Sequence, residues 1–204
     1  MLPVHEFAHG FAADRLGDDT PGKQGRLTLN PFAHLDMTGS ILIMLVGIGW
    51  GKPVSVDMRN FEHPRRGMAI TALAGPLSNL LLSIFLMILY KILLAISPQH
   101  ALTSNSAMLA SILMQLCLYS IMLAVFNLIP LPPLDGSKIF GVLLPEKFYW
   151  GMLRYQRQIF FIFMLLLIFR IITFPIEAAS VRVFLFFDRI TMPVEWWMQL
   201  WTRS

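Results

Sequence analysis

Between residues 67 and 134 the chain carries a single acidic or basic side chain, Lys91. Water offers such a stretch nowhere to hide two long apolar surfaces, whereas a bilayer core of about 30 Å accepts helices of about 20 residues. Residues 68–90 therefore predict one spanning helix, and residues 107–129 predict a second. The whole chain agrees with this. Only 14% of its 204 residues are charged and 56% are hydrophobic, with mean hydropathy +0.63, against about 25% charged in soluble domains.

Charge then orients the spans. Lys52, Arg59, Arg65 and Arg66 precede the first span, and Lys138, Lys147, Arg154 and Arg157 follow the second. Basic loops stay on the cytoplasmic side, so residues 91–106 are expected to form the outer connection. The surplus of four positive charges is explained in this way, and no nucleic-acid partner is expected. Cys117 is the single cysteine, which excludes a disulfide framework and a cysteine-based zinc ribbon.

Around these spans the pattern predicts shorter elements. Residues 2–16 read as a helix of about 24 Å, with Pro3 in the first turn and Gly17 as its stop. Arg26, Leu27, Thr28, Leu29 and Asn30 alternate as a short edge strand would, or form a surface loop. Residues 40–50 are apolar but too short to cross, and they lead into the glycine-rich IGWGKPVSV, which suits a re-entrant element. Residues 155–176 predict a third span, interrupted by Arg170. The tail from residue 181 to 201, with Trp196, Trp197 and Trp201, suits a helix lying in the membrane interface. The expected fold is an all-α polytopic membrane protein, a bundle of about four to five membrane helices with a short re-entrant or β loop element. Residues 1–145 would form its core, and residues 146–204 a C-terminal membrane helix with an amphipathic interfacial tail.

Three residues near the start carry chemistry. His5, Glu6 and His9 form His-Glu-x-x-His, in MLPVHEFAHG. On a helix the two imidazoles lie about 40° apart around the axis and about 6 Å along it, so both reach one ion, and Glu6 projects beside them as a base for a water activated there. In a soluble helix this could be an exposed polar face. In apolar surroundings, ionisable groups are costly and point to function.

A catalytic zinc usually takes three protein ligands. Asp135 is one candidate for the third, because it ends the uncharged run in NLIPLPPLDG, where prolines break the helix and Gly136 permits a tight turn. It could equally be an interfacial aspartate. The rival is His34, beside Asp36 in a polar loop, which reads better as a hydrogen-bonded loop histidine. His63 and His100 offer no spacing argument. Asn127, eight residues before Asp135, could donate to an oxyanion or bond between helices. In AGPLSN, Gly75 and Asn79 lie four apart and suit close helix contact.

HEFAH on an apolar helix, combined with NLIPLPPLDG at the end of a later span, resembles the site-2 protease family of intramembrane zinc metalloproteases. GDDTPGKQGRLTLNP, GWGKPVSV, RRGMAITALAGPLSN and FNLIPLPPLDGSKIF look like its compact bacterial branch without a PDZ domain. The likeness covers roughly residues 5–145. It implies one zinc ion held by His5, His9 and Asp135, water activated by Glu6, and an oxyanion assisted by Asn127. It implies a transmembrane protein as substrate and a multi-pass place in a bacterial plasma membrane. Family members carry more hydrophobic sequence ahead of the first histidine. Either the natural start lies upstream or Pro3 begins a helix whose site sits near one membrane face. No signal peptide is visible in MLPVHEFAHG, so insertion is expected to rest on internal helices. A different class, a membrane scaffold that keeps the fold and cleaves nothing, has no need of Glu6. A metal transporter would spread ionisable groups along a pathway, and the spans hold almost none.

Overall fold

The computed structural model describes residues 1–46, 51–96 and 105–202. Among these residues the regular structure is helical. It comprises α1 (Leu2–Arg15), the single turn α2 (Thr20–Lys23), α3 (Met37–Val46), α4 (Pro64–Ile96), α5 (Asn105–Asn127), α6 (Asp135–Gly141), α7 (Glu146–Arg154), α8 (Gln156–Ile168) and α9 (Thr173–Thr202), with 3-10 turns at Pro31–His34 and Met58–Asn60. α1 starts with proline in its first turn and stops before Gly17, whose φ of +102° is in the left-handed region that favours glycine.

Two helices, α4 and α5, are long and apolar enough to cross a membrane, and α7 with α8 make a third if that bent pair is one span. At 1.5 Å per residue the 33 residues of α4 reach about 50 Å, well beyond a bilayer core of about 30 Å. It is more than long enough to cross.

The third expected span is different in kind. Residues 155–176 do not form one helix. α7 and α8 meet at Tyr155 with a bend of 67°, and the chain turns again at Arg170, which has φ +57°. Arg170 therefore does not sit within a span; it makes the turn that separates α8 from α9. α9 then runs unbroken for 30 residues, taking in both the end of that expected span and the tail. α4 also continues through Lys91 to Ile96, residues expected to belong to the outer connection.

No strand forms at Arg26 to Asn30. The backbone there closes on itself, with Thr28 N donating to Arg26 O and Asn30 N to the Thr28 hydroxyl. The Arg26 guanidinium donates to Ala33 O. With these groups satisfied locally, the alternation of side chains has no ladder to join. An isolated antiparallel bridge links Leu35 and Gly51. The expected re-entrant stretch is helical in its first part, in α3, and residues 47–50 lie outside the described residues, as does His100.

The chain divides into two units, Met1–Ser78 with Asn127–Leu165, and Asn79–Phe126 with Leu166–Ser204. In the first, Asp18 is fully buried and ties the loops: it accepts from Thr20 N and Oγ1, from Asn60 Nδ2 and from Asp57 N. Burial opposes its charge, but these four donors together hold the Asp18 carboxyl below its ordinary value of 3.8. In the second, Ser120 donates to Asn79 O and Cys117 to Ser83 O, and Lys91 reaches from α4 to Asp188 and Glu195 on α9.

Candidate metal centre

α1 carries His5 and His9 one turn apart on its buried side, only 3% and 8% exposed. Their rings meet edge to face, with centroids 4.5 Å apart. α6 brings the third group. Asp135 is its first residue, and its Oδ2 lies 3.0 Å from His5 Nε2 and 3.0 Å from His9 Nε2, which are themselves 3.0 Å apart. The three ligand atoms make an equilateral triangle. Among the described residues this is the one group of three His, Cys, Asp or Glu side chains that could hold a metal ion.

The chemistry of the triangle requires a cation. His9 Nδ1 donates to Thr71 O at 2.7 Å, which fixes the proton on that nitrogen. The neutral ring then directs the lone pair of Nε2 at a carboxylate oxygen, a repulsive contact unless a proton or a metal lies between. Four-coordinate zinc, with bonds of about 2.0–2.2 Å, sets its donor atoms about 3.3 Å apart. A triangle of 3.0 Å fits with a small adjustment. Where protons take the place of a metal and His9 carries one on each nitrogen, burial works against the Asp135 charge, but the hydrogen bonds from His5 and His9, the charge of the His9 imidazolium and that of Lys138 outweigh it. The carboxyl is held well below the usual carboxylate range. Lys138 Nζ stands 3.6 Å from the other oxygen, Oδ1.

Two glycines make room for this. A Cβ on Gly75 of α4 would collide with the His9 ring and lie 2.7 Å from His5 Cε1, so α4 lays bare backbone against both imidazoles. A Cβ on Gly136 would strike the carbonyls of Leu128 and Ile129. Gly136 is helical, so the tight turn expected of it is not what it provides. Its role is close approach, which lets the turns after α5 fold onto the start of α6 and present Asp135.

Glu6 follows His5 on α1, and its charge is felt at His9. Its Oε2 accepts from Val54 N at 2.9 Å, so a backbone amide of the segment between Gly51 and Met58 holds the carboxylate. Asn127 is the last residue of α5, half-buried, and belongs to the same unit as the triangle. His34 is fully buried but outside the cluster; its Nε2 donates to Thr28 O at 2.8 Å and its own carbonyl accepts from Lys52 N. It anchors the loop. His63 is exposed beside a groove at the start of α4.

Sequence reasoning missed Thr71 and Val54, and took Gly75 for a helix contact. Val54 acts through its backbone and leaves no mark in residue type. Thr71 had a signal: it precedes Gly75 by four and Asn79 by eight, a ladder of small or polar residues on an apolar helix.

Three comparisons bear on identity. The model of "Peptidase family M50" matches residues 91–170, an interval that contains Asn127 and Asp135. "Putative zinc metalloprotease YwhC" of Bacillus subtilis is 40% identical over 167 residues, 81% of this chain and 75% of that protein. Proteins called "Putative zinc metalloprotease Rip2" are 32% identical in Mycolicibacterium smegmatis, over 71% of this chain and 53% of that protein, and in Mycobacterium tuberculosis, over 66% and 51%. The chain thus spans three quarters of the first relative and about half of the other two. No solved structure matches. Identity of 40% across four fifths of its length makes the chain a member of peptidase family M50, the site-2 protease family.

Proposed function

We propose that this chain is an intramembrane zinc metalloprotease, which hydrolyses peptide bonds in or near the transmembrane segments of other proteins in a bacterial plasma membrane. The observation that carries the reading is the buried triangle of His5 Nε2, His9 Nε2 and Asp135 Oδ2, each pair 3.0 Å apart. The four to five membrane helices expected would be α4, α5, the α7–α8 pair and one or both of α1 and α9.

One zinc ion held by His5, His9 and Asp135 would supply Lewis-acid polarisation of a water and of the scissile carbonyl. Thr71 O keeps the His9 ring in the tautomer that leaves Nε2 free to coordinate. Glu6 takes the proton of the attacking water and passes it to the leaving amine. Val54 N–H occupies one carboxylate oxygen of Glu6, which orients the group and leaves the other oxygen for the proton. Asn127 donates its side-chain amide to the oxyanion that forms on the substrate, a contribution worth about 100-fold or more in rate.

The test is zinc content and cleavage on one preparation. Purified protein is expected to hold one zinc per chain and to cleave a reporter containing a membrane segment. Glu6→Gln should keep the zinc and lose the cleavage. Zinc retained in both proteins with no Glu6-dependent cleavage in either would overturn the reading in favour of a scaffold that keeps the fold.

A further inference from the structure

At the N-terminal end of α4 an open groove of about 720 Å³ is lined by Arg59, His63, Arg65, Arg66, Glu146 and Trp150, among others. Its charges do not balance. Arg59 is paired with Asp57 at 2.7 Å. Arg65 donates to the carbonyls of Gly141 and Leu144 and stands 4.0 Å from Glu146. Arg66 is exposed and has no acidic partner among the described residues. The first turn of α4 holds no acidic residue either, so two arginines there face a helix end whose dipole is also positive. A bound anion would satisfy both.

The apolar side of the groove says which anion. Trp150 is 58% exposed, lies on α7 and lines the groove together with Met58 and Pro64. Large apolar side chains left open beside a cluster of arginines make a surface that is wet at one end and greasy at the other, as at a headgroup layer. α4 is longer than a bilayer core is thick, and its first turn carries Arg65 and Arg66, basic residues of the kind that flank a span at the headgroup layer. A free phosphate or an acidic peptide would use the charges but leave the apolar rim uncovered.

We propose that this groove binds the headgroup of an anionic phospholipid, with Arg66 on the phosphate and Trp150 against the start of the acyl chains. The site is separate from the triangle of His5, His9 and Asp135, and its occupancy does not depend on zinc or on cleavage.

The full chain in an uncharged detergent would be titrated with phosphatidylglycerol or phosphatidylcholine, and lipid-bound protein counted by native mass spectrometry. Phosphatidylglycerol should bind several times more tightly. Arg66→Gln should weaken it about fivefold, the effect of one basic residue at an anionic surface, while Arg66→Lys should keep most of the affinity. Both variants should unfold at the wild-type temperature without lipid, and millimolar inorganic phosphate should not displace the lipid. Equal affinity for the two lipids, or an Arg66→Gln protein that binds phosphatidylglycerol as wild type does, would overturn the proposal. Displacement by inorganic phosphate would overturn it too, in favour of a site for the free ion.

Discussion

Adding one methyl group at Gly75 should separate metal binding from folding. The Cβ of Gly75→Ala would stand 2.7 Å from His5 Cε1 and closer still to the His9 ring. Carbon atoms rest at about 3.5–4.0 Å, so the imidazoles must retreat by about 1 Å. A metal site tolerates about 0.2 Å in its ligand distances, which means that at least one histidine leaves the triangle. Mutations that merely disturb the support of a ligand cost about 10–100-fold in affinity. Displacing a ligand should therefore raise the zinc Kd by at least about 100-fold, or about 2.7 kcal/mol. The fold itself should change less. Overpacking costs about 1–3 kcal/mol, and the gain in helix propensity from glycine to alanine returns up to about 1 kcal/mol.

The assay is zinc competition against a chromophoric chelator, run beside thermal unfolding of the chelated protein. Gly151→Ala on α7 is the control, since its Cβ would meet nothing within 4 Å; it should bind zinc as wild type and be slightly more stable. A Gly75→Ala protein with wild-type zinc affinity and cleavage rate would refute the reasoning, because the two imidazoles would then have room that the structure denies them.

Other expectations follow from the same geometry. Asp135→Ala should lose zinc, whereas His34→Ala should keep it and only loosen the loop from Thr28 to Lys52; metal analysis of the two proteins decides between the rival ligands. Lys91 is 2% exposed while its partners Asp188 and Glu195 are 47% and 46% exposed. Removing both carboxylates as Asp188→Asn with Glu195→Gln should thus cost roughly 3 kcal/mol by stranding a buried charge. Lys91→Met should cost less, because the carboxylates can turn to water, and unfolding in detergent will show the order. Asp18, with its folded pKa below the ordinary 3.8, contributes stability that is complete above pH 3.8 and lost as pH falls through the folded value. Limited proteolysis of residues 18–60 should accelerate below about pH 4, and Asp18→Asn should already be cut readily at neutral pH, since its amide cannot accept from all four donors.

Legibility followed the reach of each interaction. The His5–His9 pair was readable because helical spacing alone puts the two rings together, whereas the uncharged run before Asp135 left that residue open between a ligand and an interfacial aspartate, and only the family resemblance singled it out. The bend at Tyr155 and the turn at Arg170 were not readable, since hydropathy records what a segment dissolves in and not the direction of its backbone. Lys91 looked like a loop cation for a related reason. Its partner Asp188 is 97 residues away, and no local spacing announces such a pair. The alternation at residues 26–30 misled because a period of two is necessary for a strand and not sufficient; among the described residues no neighbouring chain pairs with it.

α4 shows why a uniformly apolar helix still has two faces. Thr71, Gly75, Asn79, Ser83, Met87 and Lys91 recur every four residues, and all are buried. Ile70, Leu73, Leu77, Leu81 and Phe85 are 43% to 60% exposed. In water this would be inside out. In lipid an exposed leucine loses nothing, so the packed face is chosen by what lipid cannot provide, close backbone approach and partners for polar groups. Every member but Met87 is used in that way: Thr71 O receives His9, Gly75 admits the imidazoles, Asn79 O and Ser83 O take bonds from α5, and Lys91 takes the carboxylates of α9. Because four residues exceed one turn by about 40°, the stripe winds along the helix instead of running straight. The exceptions to hydrophobicity, read one by one, identify it.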